Sequence, residues 1–95
     1  IITRLIRDTK VSSDYSKQVE FVDPGARILR FEFGPNQYLR KELLWPYLDQ
    51  LTERLIFYYK SNNKPHWIHA HYADAGYVGM RLSKFFNIPF LYFIL

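Results

Sequence analysis

An α/β fold, with helices laid on parallel strands, is what the sequence predicts, and three observations predict it. From residue 26 onward, short runs rich in β-branched and aromatic residues alternate with two stretches of helical apolar spacing. The last run, residues 90–95, is continuously apolar, the form taken by a strand buried on both faces of a parallel sheet. Residues 66–79 read as a strand that stops in a polar loop just before a helix, an arrangement that presents chemistry in open parallel sheets.

Residues 1–6 alternate loosely, with β-branched residues and Thr3, and suit a short strand closed by Arg7 and Asp8. Residues 10–23 hold only Val11, Val19, Phe21 and Val22 as apolar anchors and read as a surface excursion. It ends at Asp23-Pro24-Gly25, a turn signal, because proline fixes one dihedral and glycine accepts positive φ at the next position. Residues 26–33 form a second strand, with Ile28, Arg30 and Glu32 on one face and Arg27, Leu29, Phe31 and Phe33 on the other. Gly34-Pro35-Asn36 stops it.

Residues 41–60 place Leu44, Leu48, Leu51, Leu55 and Tyr58/Tyr59 on one helical stripe. Pro46 is tolerated only in a first turn, so the regular helix is expected from near Trp45. Residues 61–65 are a loop, and Trp67, Ile68 and Ala70 fill the next strand. Asp74 suits a helix N-cap, and the small pair Ala75 and Gly76 lets the helix start close to the sheet. That helix, residues 75–86, carries Val78, Leu82 and Phe85/Phe86 at helical spacing, with Asn87 fit for a left-handed C-terminal position and Pro89 barring continuation. Strand–helix–strand crossovers are right-handed, so the last three strands are expected to run parallel and to bring residues 34–41 and 71–74 to one sheet edge. The result would be a cleft with a cation on one wall and a carboxylate on the other.

A chain of 95 residues makes one small domain or part of one. Its 48% hydrophobic and 19% aromatic content argues against disorder and for apolar surface met by a neighbour. The net charge of +4 raises polyanion binding, yet basic and acidic residues alternate without clustering, which argues against nucleic acid. No cysteine is present, no signal-peptide pattern opens the chain, and no apolar run approaches the roughly 20 residues of a membrane span. A cytoplasmic protein without membrane attachment is the expectation. Ile1-Ile2 at one end and an apolar run at the other read as cut ends.

At residues 34–47, Gly-Pro-Asn-Gln-Tyr-Leu-Arg-Lys-Glu-Leu-Leu-Trp-Pro-Tyr, and residues 69–76, His-Ala-His-Tyr-Ala-Asp-Ala-Gly, the chain closely resembles the sucrose-phosphate synthases and related sucrose-type retaining glycosyltransferases. The likeness reaches back through Thr3-Arg4 and residues 12–15 and forward through residues 87–91. It implies a GT-B architecture of two Rossmann-like lobes, of which residues 1–95 would be an incomplete N-terminal, acceptor-side lobe. The lobe that holds UDP-glucose lies outside the chain. The implied reaction moves glucose from UDP-glucose to fructose 6-phosphate with retention, and the implied local task is acceptor binding. Lys41 would meet the acceptor phosphate and Asp74 its hydroxyls, with His71 and Tyr72 shaping the same pocket. Where relatives continue into Thr-Gly-His-Ser-Leu-Gly, this chain has Phe93, Ile94 and Leu95, so no catalytic residue is assigned and the chain alone is expected to be inactive. No cofactor is implied.

Plainer roles stand beside these. Lys41 can be a solvated lysine at a helix start, and Asp74 a cap without a ligand. His69 and His71 share a strand face, but two ligands without a third make a weak metal signal, and His69 is expected to pack against sheet and helix. Phe57, Tyr58 and Tyr59 read as helix core before they read as a stacking platform. The alternative to the enzyme fragment is a non-catalytic α/β module that binds a sugar phosphate or a protein partner. A polyanion-binding domain is a third.

Overall fold

The computed structural model describes residues 1–93. The chain divides into two compact units, Ile1–Leu44 and Trp45–Leu95, and each holds its own sheet. The expectation for Ile94 and Leu95, the end of the last apolar run, lies outside the described residues.

In the first unit, β1 (Ile2–Arg4), β2 (Val19–Asp23) and β3 (Ala26–Phe31) form a sheet in the order β1-β3-β2. β1 runs parallel to β3, pairing Thr3 with Arg30, and β2 runs antiparallel to it, pairing Glu20 with Ile28. The excursion read for residues 10–23 is therefore half strand. Its first part contains a 3-10 turn, Ser13–Ser16, and its second part is the hairpin partner of β3. Charged and apolar residues share both faces of Val19–Asp23, which hid the strand. The turn at Asp23-Pro24-Gly25 is found, with Gly25 at φ 83° as such a turn requires. Leu5, Leu29 and Phe33 are buried here, together with the side chains of Arg4 and Arg30.

The second unit opens with a 3-10 turn, Trp45–Tyr47, followed by α1 (Leu48–Lys60). The regular helix thus begins three residues later than expected, because Pro46 sits in the tighter turn, which satisfies the proline without an α-helical N–H. Leu48, Leu51 and Leu55 are buried as the stripe requires, as is Thr52, whose hydroxyl donates to the Leu48 carbonyl at 3.0 Å. Phe57, read as core, is 78% exposed, whereas Tyr58 and Tyr59 are half-buried with their rings edge-on at 4.8 Å.

After the loop come β4 (Ile68–His71), α2 (Tyr72–Phe86) and β5 (Phe90–Phe93). β4 and β5 pair parallel, Ala70 opposite Tyr92, so this strand–helix–strand unit has the expected form. The expectation that the last three strands share one parallel sheet, with residues 34–41 and 71–74 at one edge of it, is not met: β3 belongs to the other sheet, where β1 is its parallel partner and β2 fills its other edge. Asn87 closes α2 at φ 57°, in the left-handed conformation read from the sequence. α2 lies close on its sheet through two glycines. A Cβ at Gly76 would stand 2.4 Å from the Tyr92 ring, and one at Gly79 would stand 2.6 Å from the Phe90 ring and 3.3 Å from Ala70. No helix among the described residues is long and apolar enough to cross a membrane.

The glycine contact predicts a measurable cost. Gly79→Val should lower stability by about 1–3 kcal/mol, because a branched side chain there overpacks Phe90, Ala70 and Ile68. Urea unfolding checks this, and an unchanged midpoint would show that α2 stands off its sheet.

Candidate functional site

Two strand exits carry the candidate residues, one in each unit. In the second unit β4 ends at His71, and α2 starts on the next residue, with Tyr72 at φ 70°. A bulky residue seldom takes that conformation, and here it turns the chain from strand to helix in a single step. Asp74 is consequently not the N-cap. The cap position falls on His71, which makes no side-chain cap bond, while Asp74 lies in the first helical turn and accepts from the Ala75 N–H at 2.9 Å. A carboxylate there still complements the helix dipole.

His71 is exposed, and its ring stacks on Phe93 of the neighbouring strand at 5.4 Å and 18°. His69 is exposed too, edge-on to Phe93 at 5.9 Å, and so is not the packed histidine expected. Tyr72 is 50% exposed, and Asp74 is half-buried. His71, Tyr72 and Asp74 are thus gathered at the carboxyl end of β4, where open parallel sheets bind ligands.

Further along α2, the Asp49 carboxylate accepts from the Tyr77 hydroxyl and from Arg81 Nη1, both at 2.6 Å, and so ties α1 to α2. Asp49 beside it holds the Tyr77 hydroxyl protonated above the ordinary tyrosine range.

Lys41 belongs to the first unit, where it is exposed and opens a 3-10 turn, Lys41–Leu43. The segment leading to it leaves β3 and is held as far as Tyr38 by Arg4, the last residue of β1, and by Arg7 and Asp8, which follow it. Arg4 is 6% exposed. Its Nε donates to the Phe33 carbonyl at 2.9 Å, its Nη1 to the Gln37 carbonyl at 3.0 Å, and its Nη2 to the Pro35 carbonyl. The Arg7 N–H donates to the Asn36 carbonyl at 3.1 Å, and the Arg7 side chain pairs with Glu32. Asp8 accepts from the Lys10 N–H at 2.9 Å and the Tyr38 N–H at 3.0 Å, and these backbone bonds hold its carboxyl below the usual carboxylate range.

Sequence reasoning assigned no role to Arg4 or Asp8. The one available signal was a basic side chain inside an apolar strand, between Thr3 and Leu5, where charge is costly unless it is fully bonded.

No family model matches the chain. Among curated proteins it is 34% identical to a probable sucrose-phosphate synthase of Thermosipho melanesiensis over 95% of this chain and 22% of that protein. It is 37% identical to the sucrose-phosphate synthase of Spinacia oleracea over 72% of this chain and 8% of that protein. A solved sucrose-phosphate synthase from Thermosynechococcus elongatus superposes with a TM-score of 0.77 and 28% identity, covering 96% of this chain and 21% of the other.

The chain is a sucrose-phosphate synthase homologue. It spans 22% or less of the length of these curated relatives, so it corresponds to one segment of a glycosyltransferase of the GT-B fold. Its mixed α/β structure, with small parallel strand pairs and two helices, is the class read from the sequence. Of the motifs that carried the resemblance, residues 34–47 run from the end of β3 across the division at Leu44, and residues 69–76 cover the end of β4 and the start of α2.

Asp8 gives this site a pH dependence. Its folded-state carboxyl titrates low, so its hold on the Tyr38 N–H is complete above the ordinary carboxylate range and is lost as pH falls through the lowered value. The Tyr38 amide resonance should therefore move in an acid titration below about pH 4, and Asp8→Ala should abolish that movement. A Tyr38 amide that titrates identically in the variant would exclude the bond.

Proposed function

We propose that this chain is the acceptor-binding part of a sucrose-phosphate-synthase-like retaining glycosyltransferase, and that the acceptor is a sugar phosphate, fructose 6-phosphate first among candidates. The observation that carries the reading is likeness in both sequence and fold over nearly the whole chain, 34% identity across 95% of it and a TM-score of 0.77 across 96%. Two local features support it. Lys41 is exposed at the end of a braced segment, as a phosphate-binding ammonium needs to be. His71, Tyr72 and Asp74 lie at a strand's carboxyl end, as residues that meet sugar hydroxyls do in open α/β sheets.

In this reading Lys41 donates a charge-assisted hydrogen bond to the acceptor phosphate. Asp74 accepts from a sugar hydroxyl while its Oδ1 receives the Ala75 N–H. His71 and Tyr72 form an aromatic wall, the His71 ring being held flat by Phe93. UDP-glucose would be held by a second lobe outside this chain, which supplies the leaving group and the reaction centre, so the chain by itself binds and does not transfer.

Titration of the chain with fructose 6-phosphate should move the backbone amide resonances of residues 34–41 and 71–76 more than fructose does. Lys41→Ala should weaken binding by about 1.5–3 kcal/mol, roughly tenfold or more. Asp74→Asn should weaken it while leaving α2 intact, checked by circular dichroism. Amide resonances indifferent to the sugar phosphate, or a Lys41→Ala variant that binds as well as the parent, would reject the reading.

A further inference from the structure

Nothing in the family motif explains why a charged side chain should be buried at position 4. An arginine 6% exposed carries a large desolvation cost unless its donors are satisfied. Arg4 directs three guanidinium nitrogens at the carbonyls of Phe33, Pro35 and Gln37. These carbonyls alternate along a segment that has left β3 and therefore has no strand neighbour to receive them. The guanidinium replaces that neighbour. Its planar fork spans several acceptors at fixed angles, whereas a lysine ammonium is a compact point charge on a flexible stem. The Phe33 ring lies 5.6 Å from the guanidinium carbon and adds a cation–π contact.

The rest of the segment is braced from the same stretch of chain. Arg7 N–H bonds the Asn36 carbonyl, and the Asp8 carboxylate takes the Tyr38 N–H. Phe33, Pro35, Asn36, Gln37 and Tyr38 are thereby bonded to Arg4, Arg7 or Asp8 through their backbones. Three residues further on stands Lys41.

We infer that Arg4 is a positioning residue for acceptor binding: by fixing the backbone of residues 33–37 it sets where Lys41 stands and so tunes affinity for the phosphate of the sugar. The inference rests on the acceptor role proposed for Lys41, and it assigns Arg4 no contact with ligand.

The test is a double-mutant cycle in the whole chain with fructose 6-phosphate as the probe, read by amide and carbonyl resonances and by amide exchange. Arg4→Lys keeps the charge and loses the fork. It should shift the carbonyl carbon resonances of Phe33, Pro35 and Gln37 while leaving Leu29, whose N–H bonds Ile1 in the β1/β3 ladder, protected from exchange. Affinity for fructose 6-phosphate should fall about tenfold, and combining the change with Lys41→Ala should cost little beyond Lys41→Ala alone, because both act on one contact. If Arg4→Lys also exposes Leu29, the sheet itself has been disturbed. The surface variant Asp8→Ala, which frees only the Tyr38 end of the segment, then takes its place in the cycle with the same expectation of non-additivity.

Unchanged carbonyl resonances at residues 33, 35 and 37, or losses that simply add, overturn the positioning role. A Lys41→Ala variant with undiminished affinity overturns the acceptor reading instead, and the carbonyl resonances still decide whether Arg4 fixes the segment.

Discussion

One buried guanidinium satisfying three carbonyls is the interaction on which the first unit depends. A strand that leaves its sheet strands its own backbone polar groups, and burying them without partners costs about 1–3 kcal/mol each. β3 stops at Phe31, yet the chain stays close to the β1 exit through residues 33–38. Along that path Arg4, Arg7 and Asp8 supply bonds that a further strand would have made, and only Phe33 in it is buried. The segment from Phe33 to Tyr38 is irregular and still bonded at most of its positions. A loop of that kind can present a side chain at a defined place.

The second unit solves the same problem without a buried charge. There the chain goes from β4 to α2 with no loop at all, and the cost appears as the positive φ of Tyr72. The helix can begin so abruptly because Gly76 and Gly79 let its axis lie against Tyr92 and Phe90. Side chains at those positions would lift α2 off the sheet and relax the turn. His71, Tyr72 and Asp74 are therefore placed by contacts made one and two turns further along the helix.

What the sequence disclosed follows the same division. The helix stripe of Leu48, Leu51 and Leu55, the parallel β4/β5 pair, the turn at Gly25 and the left-handed Asn87 were legible because each depends on local spacing or one residue's conformational preference. The strand Val19–Asp23 was not, since its alternation is broken by Glu20 and Asp23 and its identity comes from pairing with β3. Asp74 as N-cap failed for a related reason. Capping preference is a weak local signal, and the packing of α2 on its sheet moved the helix start back to Tyr72. The bonding of Arg4 joins residues 29 to 33 positions apart and has no local signature.

The charges show how sign alternation along the chain becomes structure. Arg7 pairs with Glu32, Lys17 with Asp14, Arg30 with Glu20 and Arg81 with Asp49, so basic groups on strands, turn and helix each meet an acid nearby. Exposed pairs of this kind contribute little stability, and their effect is on the field. Each such pair is formally neutral, so it contributes a short-range field and none of the formal charge of +4. On the acceptor reading proposed above, a ligand phosphate would be selected by a lysine held in place, whose ammonium can form a directed bond. On that same reading, the backbone bracing of residues 33–38 is what would give Lys41 the fixed geometry that such a directed bond requires.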